Sequence, residues 1–396
     1  MGTVRWGALE ARLGRASWSI LLALLLAMVA WAVAHHPVGN DFVVFYRTAE
    51  RFLRGEELYR LSDNGYEFKY FPATAPLFAP LQLLPAPAAF LVFNVLSALA
   101  IVRVMHWSAT RLGRPRELAT HLAVLAAASP FALHLFVLGQ CDALLLWLMV
   151  ESEALAERSP LASGVLWAVA VLFKPPYLVF LLVALAWRQR RRVAGLVLGL
   201  TGGGLIGAVC FGVAGYLAEI SRWRALVSAT TPMLLCNLEN QSVFGVACQY
   251  LAAPGGWQFG VAVLILSAVA LLGSGVAVMR IRARGAEEGR FAATAAVLWL
   301  TGFLSPLGWW TNLLATVPAL YLLAALVRSR APIALRAFAT ALFAAFFLSA
   351  GRLPARLGLD MRVLLGWRYF SLLTATALLV ALVGMARGDE RSAMAQ

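Results

Sequence analysis

Long apolar segments without charge are the feature that most constrains what this chain can fold into. The first of them, residues 17–34, is SWSILLALLLAMVAWAVA, and similar segments recur along the 396 residues. A helix needs about 20 apolar residues to cross the hydrocarbon core of a bilayer. Because backbone polar groups inside a bilayer must bond within the protein, the pattern predicts an all-α polytopic membrane protein.

The composition supports this prediction. Hydrophobic residues make up 61% of the chain and charged residues 13%, with a mean hydropathy of +0.78, whereas soluble domains carry about 25% charged residues. In a soluble protein the net charge of +14 would suggest a nucleic-acid partner. Here most basic residues lie in short loops between apolar segments, so membrane lipids are the expected surroundings and nucleic acid is not an expected partner.

The hydropathy pattern predicts twelve membrane passes within one integral-membrane domain, residues 1–396. Segment 160–187 contains Lys174-Pro175-Pro176, which would break the hydrogen bonding of a single crossing helix and place a charge in mid-membrane. Two short legs that form a hairpin fit better and count as two passes. The other spans are predicted at 17–34, 86–107, 118–137, 142–157, 193–214, 257–279, 291–305, 312–327, 332–350 and 365–386.

Basic residues predict the orientation. Arginines concentrate in the loops on one side, including RQRRR at 188–192, which the positive-inside rule assigns to the cytoplasm. We therefore expect a bacterial cell membrane protein with an uncleaved first helix and both termini in the cytoplasm. The long segments 35–85 and 215–256 are expected outside, where they would roof an active site. Cys236 and Cys248 share the second segment and could pair or remain free there.

The stretch at 39–60, GNDFVVFYRTAERFLRGEELYR, places a carboxylate, Asp41, directly after the first span. The residues behind it predict an amphipathic helix lying on the outer leaflet and ending at Gly55. One interpretation is a surface anchor with Asp41 as its N-cap; the other is a functional carboxylate. The predicted apolar stripe is Phe42, Phe45, Tyr46, Ala49, Phe52 and Leu53, and the opposite face carries Arg47, Glu50, Arg51 and Arg54.

Several motifs occur in the order typical of one family: Asp-Phe at 41–42, GEELY (55–59), YEFKYFPATAPLFAPLQLLP (66–85), LGQCDALLL (138–146), SGVLWAVAVLFKPPYLVFLLVALAWRQRRR (163–192), NQSVFG (240–245) and LSPLGW (304–309). This ordered set resembles glycosyltransferase family 87. That family holds polyprenol-phosphate-mannose-dependent mannosyltransferases and related arabinofuranosyltransferases of the GT-C membrane fold. The chain departs from the family pattern at 309–312, where Trp-Trp-Thr-Asn stands in place of frequent histidines.

The resemblance implies transfer of a sugar from a polyprenyl-phosphate-sugar donor to a lipid-linked or cell-envelope glycan on the outer face. Mannose is the expected sugar. The first outer loop of such enzymes carries an acidic catalytic residue, and Asp41 is the matching position. It would take the proton from the acceptor hydroxyl as that oxygen attacks the anomeric carbon, with inversion. A partly apolar interface that raises the carboxyl pKa would suit a general base.

The leaving lipid phosphate needs cationic or hydrogen-bonding partners. Lys174 is the best candidate, because a lysine within a span is energetically unfavourable and usually functional. The alternative is that Lys174 snorkels or pairs with Asp142 or Glu151. Lys69 and His36 are further candidates for the phosphate, and the alternative for Lys69 is a solvated loop lysine.

Polar and aromatic residues of the same motifs are candidates for binding the sugar or the acceptor. Structural alternatives remain open for each group: a helix cap at Asp142, a loop turn at 240–242, and an interfacial aromatic belt. Scattered histidines indicate no metal site, and no cofactor is expected. The candidates are Tyr59, Tyr70, Gln140, Asp142, Asn240, Gln241, Trp309 and Trp310.

Other functions remain possible at this point. Within the class, the donor could carry arabinofuranose. A lipid or solute transporter is expected to distribute acids and helix breaks over two related halves, whereas the polar residues here concentrate in the two outer segments. An inactive relative acting as a binding protein is also compatible with the departure at 309–312.

Overall fold

The computed structural model describes residues 2–63, 65–237, 239–283 and 287–328, with isolated positions between 333 and 343. Every regular element in these ranges is a helix. The predicted spans 332–350 and 365–386 lie outside the continuous described ranges. The α-helices are α1 Gly2–His35, α2 Asn40–Arg54, α3 Ala86–Arg111, α4 Leu118–Leu138, α5 Asp142–Leu155, α6 Pro160–Phe173, α7 Leu181–Ala186, α8 Arg190–Phe211, α9 Val213–Leu234, α10 Val243–Tyr250, α11 Trp257–Ala283, α12 Glu287–Leu298, α13 Leu300–Phe303 and α14 Val317–Val327.

Six helical segments among the described residues are long and apolar enough to cross a membrane: Ala16–His35, Ala86–Arg111, Leu118–Leu138, Arg190–Phe211, Trp257–Ala283 and Trp310–Val327. Their bounds agree closely with the predicted spans, and the helical, multi-pass character of the chain is confirmed. The last of them begins as a 3-10 helix, Trp310–Thr316, and continues as α14. The count of twelve passes stays a prediction.

The interruption predicted at Lys174-Pro175-Pro176 is present. Helix α6 ends at Phe173, and Lys174 adopts an extended backbone with φ −136° and ψ 99°. A proline disfavours the α conformation in the residue before it, which explains why the helix stops there. The chain continues as a 3-10 helix, Pro175–Phe180, and then as the short helix α7. Lys174 therefore lies at the break between two helical segments.

The second long segment, 215–256, differs from the predicted loop. Most of it is helical, with α9 and α10 on either side of a turn. Hydropathy alone does not indicate α9, because Glu219, Arg222 and Arg224 interrupt its apolar pattern. Cys236 and Cys248 form a disulfide across the turn, with Cα atoms 5.3 Å apart.

The predicted amphipathic helix is α2, and Phe42, Phe45 and Ala49 are buried on its apolar face as expected. It ends at Gly55, whose φ of +66° is the left-handed conformation that glycine adopts readily. Two residues of this helix have surroundings that the periodicity does not predict. Leu53 is 59% exposed, and Arg51 is partly buried because its guanidinium bonds to Asp63 at 2.6 Å.

The remainder of the first outer segment packs against α2. Its 3-10 helix, Pro72–Leu83, stacks Phe78 on Phe45 with ring centroids 4.7 Å apart. The Tyr46 hydroxyl donates to the Leu84 carbonyl at 3.0 Å, and the Gln82 amide donates to the Tyr46 carbonyl at 2.7 Å. These contacts fix the 3-10 helix Pro72–Leu83 against α2.

Candidate functional site

Two glycines allow the start of α2 to lie directly against the end of α4. A Cβ atom at Gly39 would lie 2.4 Å from the Leu138 carbonyl oxygen, and one at Gly139 would lie 2.6 Å from the Phe42 Cβ. Gly139 also ends α4 with φ +71°, a conformation that suits glycine. This close approach places Asp41 beside Gln140, whose side-chain amide donates to the Asp41 Oδ2 atom.

Asp41 is not the N-cap of α2. Gly39 occupies that position, and Asp41 lies within the first turn. The interpretation of Asp41 as a capping residue was therefore wrong. Its carboxyl instead faces the residues that follow α4.

A second carboxylate, Asp142, lies two residues beyond Gln140 and binds groups from two distant segments. Its Oδ1 atom accepts from the Lys174 ammonium at 2.5 Å and from the Asn312 amide at 2.8 Å. Its Oδ2 atom accepts from the Thr311 hydroxyl at 2.7 Å. Asp142 is 5% exposed, so these three donors satisfy a buried charge, as buried ion pairs require.

These contacts decide between two of the alternatives left open by the sequence. Asp142 is the first residue of α5, but Cys141 is the N-cap and no side chain bonds the cap, so the capping interpretation was wrong. Lys174 pairs with Asp142 and not with Glu151, which binds Arg103 at 2.7 Å. The Lys174 ammonium has three N–H donors, so its bond to Asp142 leaves donors for another ligand.

The surroundings of Asp41 perturb its acidity. Burial raises its carboxyl pKa from 3.8 to about 6; the Gln140 hydrogen bond and the Lys174 charge oppose this shift, and the Asp142 charge reinforces it. The carboxyl is therefore within electrostatic range of the Asp142–Lys174 pair. A general base works best when its pKa is near the working pH, and Asp41 meets that condition.

Asp41, Gln140, Asp142 and Lys174 form a polar cluster, which we call the Asp41 cluster. Aromatic side chains form one wall of it. The Tyr70 ring lies between α2 and α6, with its centroid 5.7 Å from that of Phe45 and 5.5 Å from that of Phe173. Its hydroxyl lies 3.4 Å from the Cys141 Sγ atom. The buried Tyr59 supports it from behind, donating to the Tyr70 carbonyl at 2.7 Å. Tyr70 thus borders the Asp41 cluster, whereas Tyr59 packs behind it.

Asn240 and Gln241, predicted to bind sugar or acceptor, lie against the segment that precedes the 3-10 helix Trp310–Thr316. Asn240 is 1% exposed, and its side-chain amide donates to the Pro306 carbonyl at 3.0 Å. The Gln241 backbone N–H donates to the Gly308 carbonyl at 2.7 Å. Gln241, Trp309 and Asn312 also line a small, partly open cavity of about 10 Å³.

Three other predicted site residues have different neighbours. His36 is exposed just beyond α1. Lys69 is partly buried, which lowers its pKa, and its ammonium lies 4.0 Å from the Glu67 carboxylate. The Trp310 ring centroid is 5.9 Å from that of His134. Their predicted roles stay predictions.

Thr311 and Asn312 were not among the predicted site residues, although the sequence marks them as a departure from the family pattern. Their position directly after LSPLGW was the available signal. Within the described residues, no three His, Cys, Asp or Glu side chains are arranged to hold a metal ion. The cluster consists of the Asp41 carboxyl, whose pKa is raised, and the buried Asp142–Lys174 ion pair.

Fold and site together define a multi-pass helical membrane protein with a buried polar cluster at the ends of its helices. The sequence model of glycosyltransferase family 87 matches residues 68–306. The chain belongs to glycosyltransferase family 87.

Two individual proteins are similar to it. A polyprenol-phosphate-mannose-dependent alpha-(1-2)-phosphatidylinositol mannoside mannosyltransferase of Mycobacterium tuberculosis is 28% identical over 249 residues, 55% of each protein, so the match spans about half the length of that relative. The crystal structure of ArnT from Cupriavidus metallidurans bound to undecaprenyl phosphate is 18% identical. It aligns with a TM-score of 0.41 over 94% of this chain and 78% of ArnT.

Proposed function

We propose that this chain is a membrane glycosyltransferase that moves mannose from a polyprenyl-phosphate-mannose donor to a lipid-linked or cell-envelope glycan. The observation that carries the proposal is the half-buried Asp41 carboxyl, with a pKa raised to about 6, beside the Asp142–Lys174 pair. Family membership supports glycosyl transfer. The name of the mycobacterial relative supports the class of donor and the choice of mannose.

Asp41 acts as the general base. Its ionised carboxylate takes the proton of the acceptor hydroxyl while the oxygen forms a bond to the anomeric carbon. The bond from that carbon to the phosphate oxygen breaks, and its electron pair leaves with the lipid phosphate. Attack opposite the leaving group inverts the configuration, so a β-linked donor yields an α-linked product. The Gln140 amide holds the carboxylate in place through its bond to Oδ2.

Lys174 stabilises the phosphate that leaves. One N–H of its ammonium bonds to Asp142, and the remaining donors are free to bind phosphate oxygens. A fixed cation in a water-poor site stabilises developing negative charge far more than it would in water. The break at Lys174-Pro175 suits this role because it presents the ammonium at a helix end.

In this proposal the reaction takes place on the extracytoplasmic face of the cell membrane. Two features support this orientation: the arginine-rich loop at 188–192, which favours the cytoplasm, and the Cys236–Cys248 disulfide, since disulfides persist in oxidising compartments. Both outer segments and the Asp41 cluster would then face the periplasm or cell exterior, with the termini in the cytoplasm.

The test is transfer by detergent-purified protein from a labelled polyprenyl-phosphate-mannose. Asp41→Asn keeps the shape of the side chain and removes the base, so we expect the rate to fall roughly 10²–10⁴-fold. Glu50→Gln is the matched control, because Glu50 lies on the same helix and pairs with Arg54 at 2.7 Å; its rate should match the wild type.

Normal turnover in Asp41→Asn would remove Asp41 from the mechanism. Offering a polyprenyl-phosphate-arabinofuranose in parallel tests the choice of sugar, and a product formed only from that donor would replace mannose in the proposal. Uptake into liposomes without any glycoside product would replace transfer by transport.

A further inference from the structure

The turn between α9 and α10 is joined tightly to a separate part of the chain through one side chain. Asn240 donates to the carbonyls of Leu235 at 3.1 Å and Pro306 at 3.0 Å. Its Oδ1 atom accepts from the backbone N–H groups of Ser242 at 3.2 Å and Gly308 at 2.9 Å. A buried side chain with four backbone partners is fully occupied by its own protein, which leaves it little capacity to bind a sugar.

Neighbouring contacts reinforce this junction. The Gln241 N–H donates to the Gly308 carbonyl, and the Ser242 hydroxyl donates to the Pro306 carbonyl at 3.1 Å. A Cβ atom on Gly308 would lie 2.5 Å from the Gly302 carbonyl oxygen and 3.1 Å from the Ser242 nitrogen. The Cys236–Cys248 disulfide closes the turn on the other side. Cys236, residues 239–248 and residues 306–308 therefore form one packed unit, which we call the clamp.

The clamp leads directly to the partners of Asp142. Three residues after Gly308, the Thr311 hydroxyl bonds Asp142, and Asn312 follows with its amide on the same carboxylate. The Asn312 Oδ1 atom also accepts from the Trp309 N–H at 2.8 Å, which ties the 3-10 helix to the end of the clamp. Asp142 in turn holds Lys174.

From this chain of contacts we infer that Asn240 is a positioning residue: with the disulfide, it sets the 3-10 helix Trp310–Thr316 so that Thr311 and Asn312 hold the Asp142–Lys174 pair. This inference rests on the proposed function only for its effect on the donor. The effect on the ion pair is a property of the fold and can be measured without any reaction.

The two lysines of the chain, Lys69 and Lys174, make that measurement direct. Purified protein is treated with a small amine-reactive reagent, and mass spectrometry gives the labelled fraction of Lys174 relative to that of Lys69. In the wild type, Lys174 is held by Asp142 and its side chain is 17% exposed. In Asn240→Ala we expect relative labelling of Lys174 to rise roughly threefold to tenfold, as loss of hydrogen bonds around a charged group implies.

Asn237→Ala is the matched control. Asn237 belongs to the same turn, but its side chain is exposed and accepts from the Glu239 N–H within that turn. We expect its Lys174 labelling to equal that of the wild type. Thr311→Ala removes a direct partner of Asp142 and should raise the labelling as Asn240→Ala does.

Reduction of the disulfide offers a second route that needs no substitution. A thiol reductant should raise Lys174 labelling in the wild type, and should change nothing further in a Cys236→Ala/Cys248→Ala variant that is already elevated. This arm keeps the inference testable if Asn240→Ala does not fold.

In transfer assays, Asn240→Ala should raise the KM for the lipid-phosphate donor several-fold, with a smaller change in kcat, and Asn237→Ala should change neither. If Asn240→Ala and reduction only lower the melting temperature while Lys174 labelling stays at the wild-type value, Asn240 is a stabilising residue and the inference is wrong. If labelling rises but no variant or wild type transfers a sugar, the positioning role stands and the proposed function fails.

Discussion

At the scale of single residues, the site depends on two carboxylates whose surroundings give them different properties. Asp142 is saturated by a cation and two neutral donors, whereas Asp41 receives one amide hydrogen bond and is otherwise desolvated. Two acids in such different surroundings are typical of sites where one acid transfers a proton and the other stays ionised beside a cation. The proposed roles of Asp41 as the base and of Asp142 as the partner of Lys174 rest on that difference.

The pKa of Asp41 predicts the pH dependence of transfer. The base acts when ionised, so the rate should decline as the pH falls through about 6. At pH 5 we expect a rate roughly tenfold below the plateau, as one unit below the pKa implies. The measurement is the pH–rate profile of kcat/KM between pH 4.5 and about pH 8, with buffers matched for ionic strength.

A profile with no limb near pH 6 in the wild type would contradict this assignment.

Stability gives an independent check with a defined sign. Because the folded-state pKa is raised above 3.8, the folded state binds more protons between pH 3.8 and about 6, and ionisation lowers stability as the pH rises through that window. At pH 7, the free energy of unfolding of Asp41→Asn should therefore exceed that of the wild type by roughly 1–3 kcal/mol. The variant should accordingly unfold at a higher temperature.

Lys174 is expected to act on donor binding. Lys174→Ala should raise the KM for the polyprenyl-phosphate donor roughly tenfold or more, the worth of a charge-assisted hydrogen bond. The substitution also leaves Asp142 as an uncompensated buried charge, which destabilises proteins by about 3–5 kcal/mol. Donor titrations and thermal unfolding measure the two effects.

The double variant Lys174→Ala/Asp142→Asn separates them. It removes both charges, so most of the lost stability should return while donor use stays impaired. Recovery of donor use together with stability would show that Lys174 serves the fold alone.

At the scale of elements, the position of Lys174 depends on how closely α6 packs against α8. A Cβ atom on Gly195 of α8 would lie 2.2 Å from the Leu161 carbonyl oxygen of α6, and one on Gly164 of α6 would lie 2.1 Å from the Arg192 carbonyl oxygen. Beside this contact, the Ser152 hydroxyl donates to the Ser163 carbonyl at 2.8 Å and accepts from the Arg192 guanidinium at 2.9 Å. Such small-residue contacts are typical of helix pairs in membranes.

Gly195→Ala should weaken this helix pair. Backbone atoms cannot yield as a flexible side chain can, so we expect a loss of about 1–3 kcal/mol in unfolding free energy. Gly202→Ala is the control on the same helix, because a Cβ atom there meets nothing within 4 Å, and alanine favours helix by up to about 1 kcal/mol. Thermal unfolding in one detergent compares them; equal melting temperatures would contradict the close contact.

At the scale of the whole molecule, the interrupted segment 160–187 decides the topology of everything after it. If segment 160–187 is a hairpin, the chain returns after Lys174 to the side of the membrane from which α6 started. Residues 188–192 then lie in the cytoplasm, and the Cys236–Cys248 disulfide lies outside. A single crossing would reverse both. The chain therefore carries a clear test of orientation.

That test is cysteine labelling in intact cells. In a Cys141→Ser/Cys210→Ser background, a cysteine replacing Arg60 should react with a membrane-impermeant thiol reagent. A cysteine replacing Arg188 should react only after the membrane is permeabilised. Labelling of the Arg188 position from outside would overturn the hairpin topology and, with it, the assignment of the site to the extracytoplasmic face.

Some of this molecule follows from the sequence alone. Helix bounds follow because hydropathy and turn signals are local: the span predicted at 118–137 is α4, and the prolines after Lys174 stop α6. The amphipathic helix behind Asp41 follows from its periodicity. Membership of a glycosyltransferase family was indicated by motifs that recur in order. The inferences about helices depend on residues within about one helix of each other, whereas the family resemblance depends on the order of short motifs along the chain.

Only the tertiary structure decided what the polar side chains bind. Asp142 and Asn312 are 170 positions apart, and no local pattern indicates that they meet. Helix α9 was missed because charged residues, which bond to the first outer segment, interrupt its apolar pattern. Sequence determines which segments can enter a bilayer, because transfer into lipid depends on each segment's own composition. The packing of those segments determines the site, because a hydrogen bond depends on where two distant residues meet.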